Sequence, residues 1–147
     1  MTERFMDRDE NDLARRLARH DRFETKPGMR FVRLSDWTDD VLVLYVDSDC
    51  VVAWSYVDRE RKTIPLDAWR MYYYPDLYDW GNVGHLVEQA CETAEGDDAA
   101  FGLTKDGCGP NDFEACIYNG DRFGYTDLHA ARPGVAVARL LLEVWES

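Results

Sequence analysis

No apolar run in this chain approaches the roughly 18 residues needed to cross a bilayer. The opening Met1-Thr2-Glu3-Arg4 also lacks the apolar stretch of a secretory signal, which implies a cytosolic protein. Cysteine is sparse. Cys50, Cys91, Cys108 and Cys116 contain no pair two to five residues apart, so structural zinc is excluded and free thiols are expected. Serine is rarer still for a chain of 147 residues: Ser35, Ser48, Ser55 and Ser147, none in a Gly-x-Ser-x-Gly turn. Neither Gly-x-Gly-x-x-Gly nor Gly-x-x-x-x-Gly-Lys-Ser/Thr occurs, so the glycine-rich phosphate cradles are missing. The stretch from Asp106 to Glu114 has the look of a calcium loop, but its sixth position is Asn111 rather than glycine and its twelfth is Ile117 rather than glutamate. No cofactor and no metal is expected, and the chain does not read as an enzyme.

Positive charge is short as well. The net charge is −12, and it is uneven. Residues 1–30 hold eight Lys/Arg against seven Asp/Glu, so the remainder carries −13. A surface of that sign repels phosphate backbones and anionic membranes. Direct nucleic-acid or membrane binding is therefore not expected, and a basic protein partner is. The hydrophobic fraction of 46% and aromatic fraction of 13% are those of a folded globule, and the length fits a single domain, 1–147.

Local patterns sketch the fold. Asn11-Asp12 is expected to cap a short helix burying Leu13, Ala14, Leu17 and Ala18, with Arg15, Arg16 and Arg19 on its solvated side. Pro27-Gly28 is a turn, and Phe31 to Leu34 a short strand. The run Val41-Leu42-Val43-Leu44-Tyr45-Val46 predicts a central strand buried on both faces. The turn Asp47-Ser48-Asp49 returns it as a second strand, Val51 to Val57, so 41–57 reads as a hairpin. Pro65 bars the next stretch from a central strand. Asp79 is expected to cap a helix carrying Val83, Leu86, Val87, Ala90, Cys91 and Ala94 on one stripe, closed by Gly96; the stripe makes Cys91 a buried thiol. Ala99 to Leu103, Phe113 to Tyr118 and Phe123 to Tyr125 read as strands. A final helix starts near Pro133 and buries Val137, Leu140, Leu141, Val144 and Trp145. Hairpins dominate, so the expected class is α+β: a mainly antiparallel sheet of five or six strands with three helices.

Candidate functional residues follow from two concentrations. The first is acidic: Asp39 and Asp40, then Asp47 and Asp49. The second is aromatic: residues 69–80 contain Trp69, Tyr72, Tyr73, Tyr74, Tyr78 and Trp80. Tyr and Trp give large contact area at low entropic cost, which suits a protein interface. Three consecutive tyrosines cannot all face inward in a regular element. Asp127-Leu128-His129 sets a carboxylate near a histidine, a pairing that tunes general bases but also serves a turn before the last helix.

Two windows carry a resemblance. Arg22-Phe23-Glu24-Thr25-Lys26-Pro27-Gly28-Met29-Arg30 follows a Leu-Ala-Arg-Arg-Leu-Ala-Arg helix, and Pro75-Asp76-Leu77-Tyr78-Asp79 leads into Val83-Gly84-His85-Leu86-Val87-Glu88. Together they resemble a family of small proteins encoded in tailed-phage genomes and prophages. The acidic hairpin at 36–58 and the aromatic run at 69–74 depart from it. The family brings no catalytic residues. It implies an accessory factor that binds and blocks a bacterial protein, and the acidic charge suggests a nucleic-acid-binding defence factor, of the anti-CRISPR or anti-restriction kind. Two alternatives stand beside it: an immunity protein for a toxin nuclease, and a small-ligand or nucleotide binder using the Tyr/Trp patch with His85 or His129.

Overall fold

The first helix begins earlier than the Asn11-Asp12 pair suggests. Asp7 accepts from the Glu10 backbone N–H at 2.8 Å, and Glu10 Oε1 accepts from the Asp7 N–H at 2.9 Å. This reciprocal capping box starts α1 at Arg8, and the helix runs Arg8–Arg19 with Ala14, Leu17 and Ala18 buried. Asp9 and Glu10 in its first turn and Arg16 and Arg19 in its last complement the helix dipole. The computed structural model describes residues 6–34, 38–94, 99–105, 113–119 and 125–146.

Four strands and a short helix follow: β1 (Arg30–Leu34), β2 (Thr38–Val46), β3 (Cys50–Ser55), β4 (Glu60–Pro65) and α2 (Leu66–Tyr72). The two-residue β5 (Tyr74–Pro75) leads to α3 (Trp80–Thr93), capped by Asp79, whose side chain accepts from the Asn82 N–H. Then come β6 (Ala99–Lys105), β7 (Phe113–Asn119), β8 (Tyr125–Ala130) and α4 (Pro133–Glu146). All strand pairs are antiparallel, in two sheets ordered β4-β3-β2-β1-β5 and β6-β7-β8. The class is α+β, as the hairpin pattern implies. The described residues hold more elements than five or six strands and three helices, because the turn after Val57 returns as edge strand β4 and the aromatic run contains α2. No described helix is long and apolar enough to cross a membrane.

The hairpin of β2 and β3 sits where expected, with β2 in the middle of its sheet. It is buried on one face only. Asp39, Val41 and Val43 are sealed, while Leu42 and Leu44 are partly open and Tyr45 is exposed. The apolar run thus hides a period of two. The sealed face joins Phe31, Val51 and Ala53 in the core. Helix α4 is buried along most of its length, packing on α1, α3, β7 and β8. Its approach is close: a Cβ on Gly134 would lie 2.0 Å from the Leu77 carbonyl oxygen.

Buried Asn82 ties α3 to the first sheet. Its Oδ1 accepts from the Arg30 N–H at 2.7 Å, and its Nδ2 donates to the Arg30 and Asp76 carbonyls at 2.6 and 2.8 Å. Cys91 does not share the buried stripe of Val83, Leu86 and Ala90. It is exposed, one residue past Ala90 and so about 100° around the helix. Gly96, expected to close this helix, and Cys108, residues 106–112 and Phe123 lie outside the described residues. The Asp127-Leu128-His129 segment is in β8 rather than in a turn, and His129 Nε2 lies 3.3 Å from Glu114 across the β7–β8 pair.

Candidate functional site

The aromatic run divides between inside and outside. Trp69, Tyr73 and Tyr74 are 2%, 3% and 1% exposed and belong to the core, not to a surface patch. Trp69 and Tyr73 lie four residues apart where α2 ends, which stacks their rings at 4.8 Å, and Trp69 meets Phe31 at 4.6 Å. The chain then turns extended at Tyr73, and this break in the helical period lets Tyr74 point inward as well. Tyr72 faces out beneath the Arg33 guanidinium. Tyr78 is half-buried; its hydroxyl donates to Glu10 at 2.5 Å, and Arg132 covers its ring. Burial and the Glu10 carboxylate push that hydroxyl up to about 12. Trp80 is 71% exposed.

The acidic set divides in the same way. Asp39 is completely buried and is not part of any acidic surface. It accepts from the Ser55 hydroxyl at 2.6 Å, the Tyr73 hydroxyl at 2.9 Å and Lys62 Nζ at 3.1 Å, while Lys62 also contacts Asp58. Burial alone would raise the Asp39 carboxyl, but these hydrogen bonds outweigh it and hold it below the ordinary aspartate value. The same contacts keep Lys62 raised against its own burial. Burial, then Asp39, raise Tyr73. Ser55 also accepts from the Asp58 N–H at 3.1 Å. The group has the residue types of a catalytic cluster, yet Ser55 and Asp39 are fully enclosed and each is spoken for. It is an internal lock joining β2, β3, β4 and the end of α2.

Asp40, Asp47 and Asp49 remain on the surface. Asp40 takes both ends of the Arg30 fork at 2.9 Å, and Arg30 lies 4.5 Å over the Tyr56 ring. Asp47 and Asp49 stand exposed at the hairpin turn. Their carboxylates and the Cys50 thiol lie within 4.8 Å of one another. Burial and the two neighbouring aspartates push the Cys50 thiol up and keep it protonated, and hard oxygens with a soft thiol make a mismatched donor set.

A surface absent from the sequence reading emerges beside these acids. The register sets Tyr45 opposite Val52 and Leu42 opposite Trp54, with Arg61 of β4 next to Trp54; the Tyr56 N–H bonds the Asp40 carbonyl. These residues point away from the core face of Val41, Val51 and Ala53. Tyr45, Trp54 and Tyr56 are 52%, 38% and 43% exposed, so three aromatic rings sit on the open side of the sheet. Alternation was the available signal: small Val51, Ala53 and Ser55 take turns with Trp54 and Tyr56.

Arg15, Arg16 and Arg19 of α1 and Arg22 just after it are engaged within the chain. Arg16 pairs with Glu146 at 2.8 Å, Arg19 donates to the Met71 carbonyl, and Arg15 and Arg22 lie over the rings of Tyr74 and Trp145. Near Trp145 a cleft of about 240 Å³ is lined by Asp21, Arg22, Glu24, Gln89, Glu92, Thr93 and Trp145. His20 and Arg22 both pack on its tryptophan, and Gln89 is held by the Glu24 backbone. The cleft is polar and shares no residue with the Tyr/Trp run. No family model, no curated protein and no solved structure matches the chain.

Proposed function

We propose that this chain is a non-enzymatic binding protein that blocks a basic protein through the open face of its five-stranded sheet. The observation that carries the reading is the exposed ladder of Tyr45, Trp54 and Tyr56 beside the acidic turn of Asp47 and Asp49. Exposed aromatic rings, with the acidic turn at one end and Arg30 and Arg61 among them, suit a desolvated contact, and the net negative charge suits a steered approach. The net charge of −12 favours a basic partner over a nucleic acid or an anionic membrane. In the phage-type setting that the resemblance implies, the partner is a bacterial nucleic-acid-binding defence factor, and the chain competes with its nucleic acid.

The test is capture from bacterial lysate at low and moderate salt, with wild type beside a Tyr45→Ser/Trp54→Ser variant. A basic protein held by wild type, weakened by salt and lost by the variant supports the reading. Equal capture by the variant removes the sheet face, and capture of nothing removes the reading.

A further inference from the structure

We infer that the outward face of α3 is a second docking surface, one that takes a basic helix of a partner protein. Trp80 opens this face at 71% exposure, the most open of the large apolar side chains described. One turn on is Gly84. Glycine inside a helix is a destabilising choice, and one use of it is a close approach to the backbone. Other glycines here have internal reasons. Gly28 has φ +90°, a Cβ on Gly81 would come within 3.0 Å of the Asp79 cap, and Gly134 lies under the Leu77 carbonyl. A Cβ on Gly84 would meet nothing within 4 Å. Among the described residues nothing crowds that glycine, so its bare turn leaves room for a neighbouring backbone to come close.

Charge chooses the occupant. Glu88 and Glu92 continue the face at helical spacing, both exposed, and α3 has no basic residue in its last turn. Residues 80–93 hold two Glu and no Lys or Arg. Lys26, whose ammonium feels Glu88 and Glu92, is tied to Glu24 at 2.7 Å. A ring anchor, a bare turn and then carboxylates match a helix with an apolar ridge and lysines or arginines beside it. The glycine lets the two axes approach to the short end of the usual 8–10 Å. This surface stands independently of the sheet face.

The test uses a helical peptide of about 18 residues with leucine and alanine on one face and lysine on the other, and a counterpart with glutamate for lysine. Binding is read from the Trp80 indole signal by NMR and from slowed alkylation of exposed Cys91. The lysine peptide should shift Trp80 and shield Cys91. Gly84→Gln, with a melting temperature no lower than wild type, and Trp80→Ser should each weaken it tenfold or more, and the glutamate peptide should not bind. Absence of binding, or unchanged affinity in Gly84→Gln, overturns the inference. Shifts on Trp54 instead overturn it while supporting the sheet face. Self-association abolished by Gly84→Gln, without peptide binding, assigns the face to a second copy and overturns it too.

Discussion

Replacing Asp39 by alanine removes the acceptor of three side-chain hydrogen bonds at once. Two of the donors, Ser55 and Tyr73, are buried, and each left unpaired costs about 1–3 kcal/mol. Lys62 is less exposed to the loss, since Asp58 still holds its ammonium. Breaking a buried charged pair from one side costs about 3–5 kcal/mol, and Asp39→Ala should fall in that range. Tyr73→Phe withdraws a single donor and leaves the carboxylate two others, so it should cost about 1.5 kcal/mol. The assay is urea unfolding followed by tryptophan fluorescence, with the slope m unchanged between variants. The double variant should cost less than the sum of the two, because Tyr73 has nothing to lose once Asp39 is gone. A cost below about 1 kcal/mol for Asp39→Ala, or strict additivity with Tyr73→Phe, would refute the view that this cluster locks the sheet.

Gly134→Ala should destabilise by about 3 kcal/mol or more, since its Cβ would meet the backbone of Leu77, which cannot rotate away; an unchanged melting temperature contradicts the close approach of α4. The Asp39 carboxyl is held low in the folded chain, so its contribution is present above the ordinary value of about 3.9 and is lost as pH falls through the folded value. The stability gap between wild type and Asp39→Asn should therefore shrink on acidification, and a gap constant down to about pH 2 would count against the hydrogen-bonded carboxylate. Lys62 and Tyr73 are raised, so their contributions are present below about 10 and are lost as pH rises through the folded values. The same gap between wild type and Asp39→Asn should therefore narrow again above about pH 10, and a gap that stays constant through alkaline urea unfolding would count against the paired Lys62 and Tyr73.

Local signals were readable where neighbours along the chain decide the outcome. The hairpin around Asp47-Ser48-Asp49, the Asp79 cap and Pro133 at the start of α4 depend on residues a few positions away. The partners of Asp39 do not: Ser55, Lys62 and Tyr73 lie 16, 23 and 34 residues off. Asp39 shares the phase of Val41 and Val43, so the period of two points it inward, but a carboxylate there makes sense only once its donors are known. The aromatic run failed for a related reason. Its composition says that the rings carry area, whereas the side they face depends on a change from helix to strand at Tyr73. The sheet face was hidden because Val41 to Val46 looks uniformly apolar until its register with Val51 to Ser55 is fixed.

Lys62 lies on β4, at the edge of the first sheet, and sends its ammonium toward the buried side to meet Asp39. A foreign strand laid beside β4 would find a lysine already paired where an apolar side chain would otherwise extend the core, and Pro65 offers no N–H at the strand's end. The lock therefore also works as a guard against runaway strand addition. An inward charge of this kind disfavours strand addition at the β4 margin, while Tyr45, Trp54 and Tyr56 stay exposed on the open side of the same sheet.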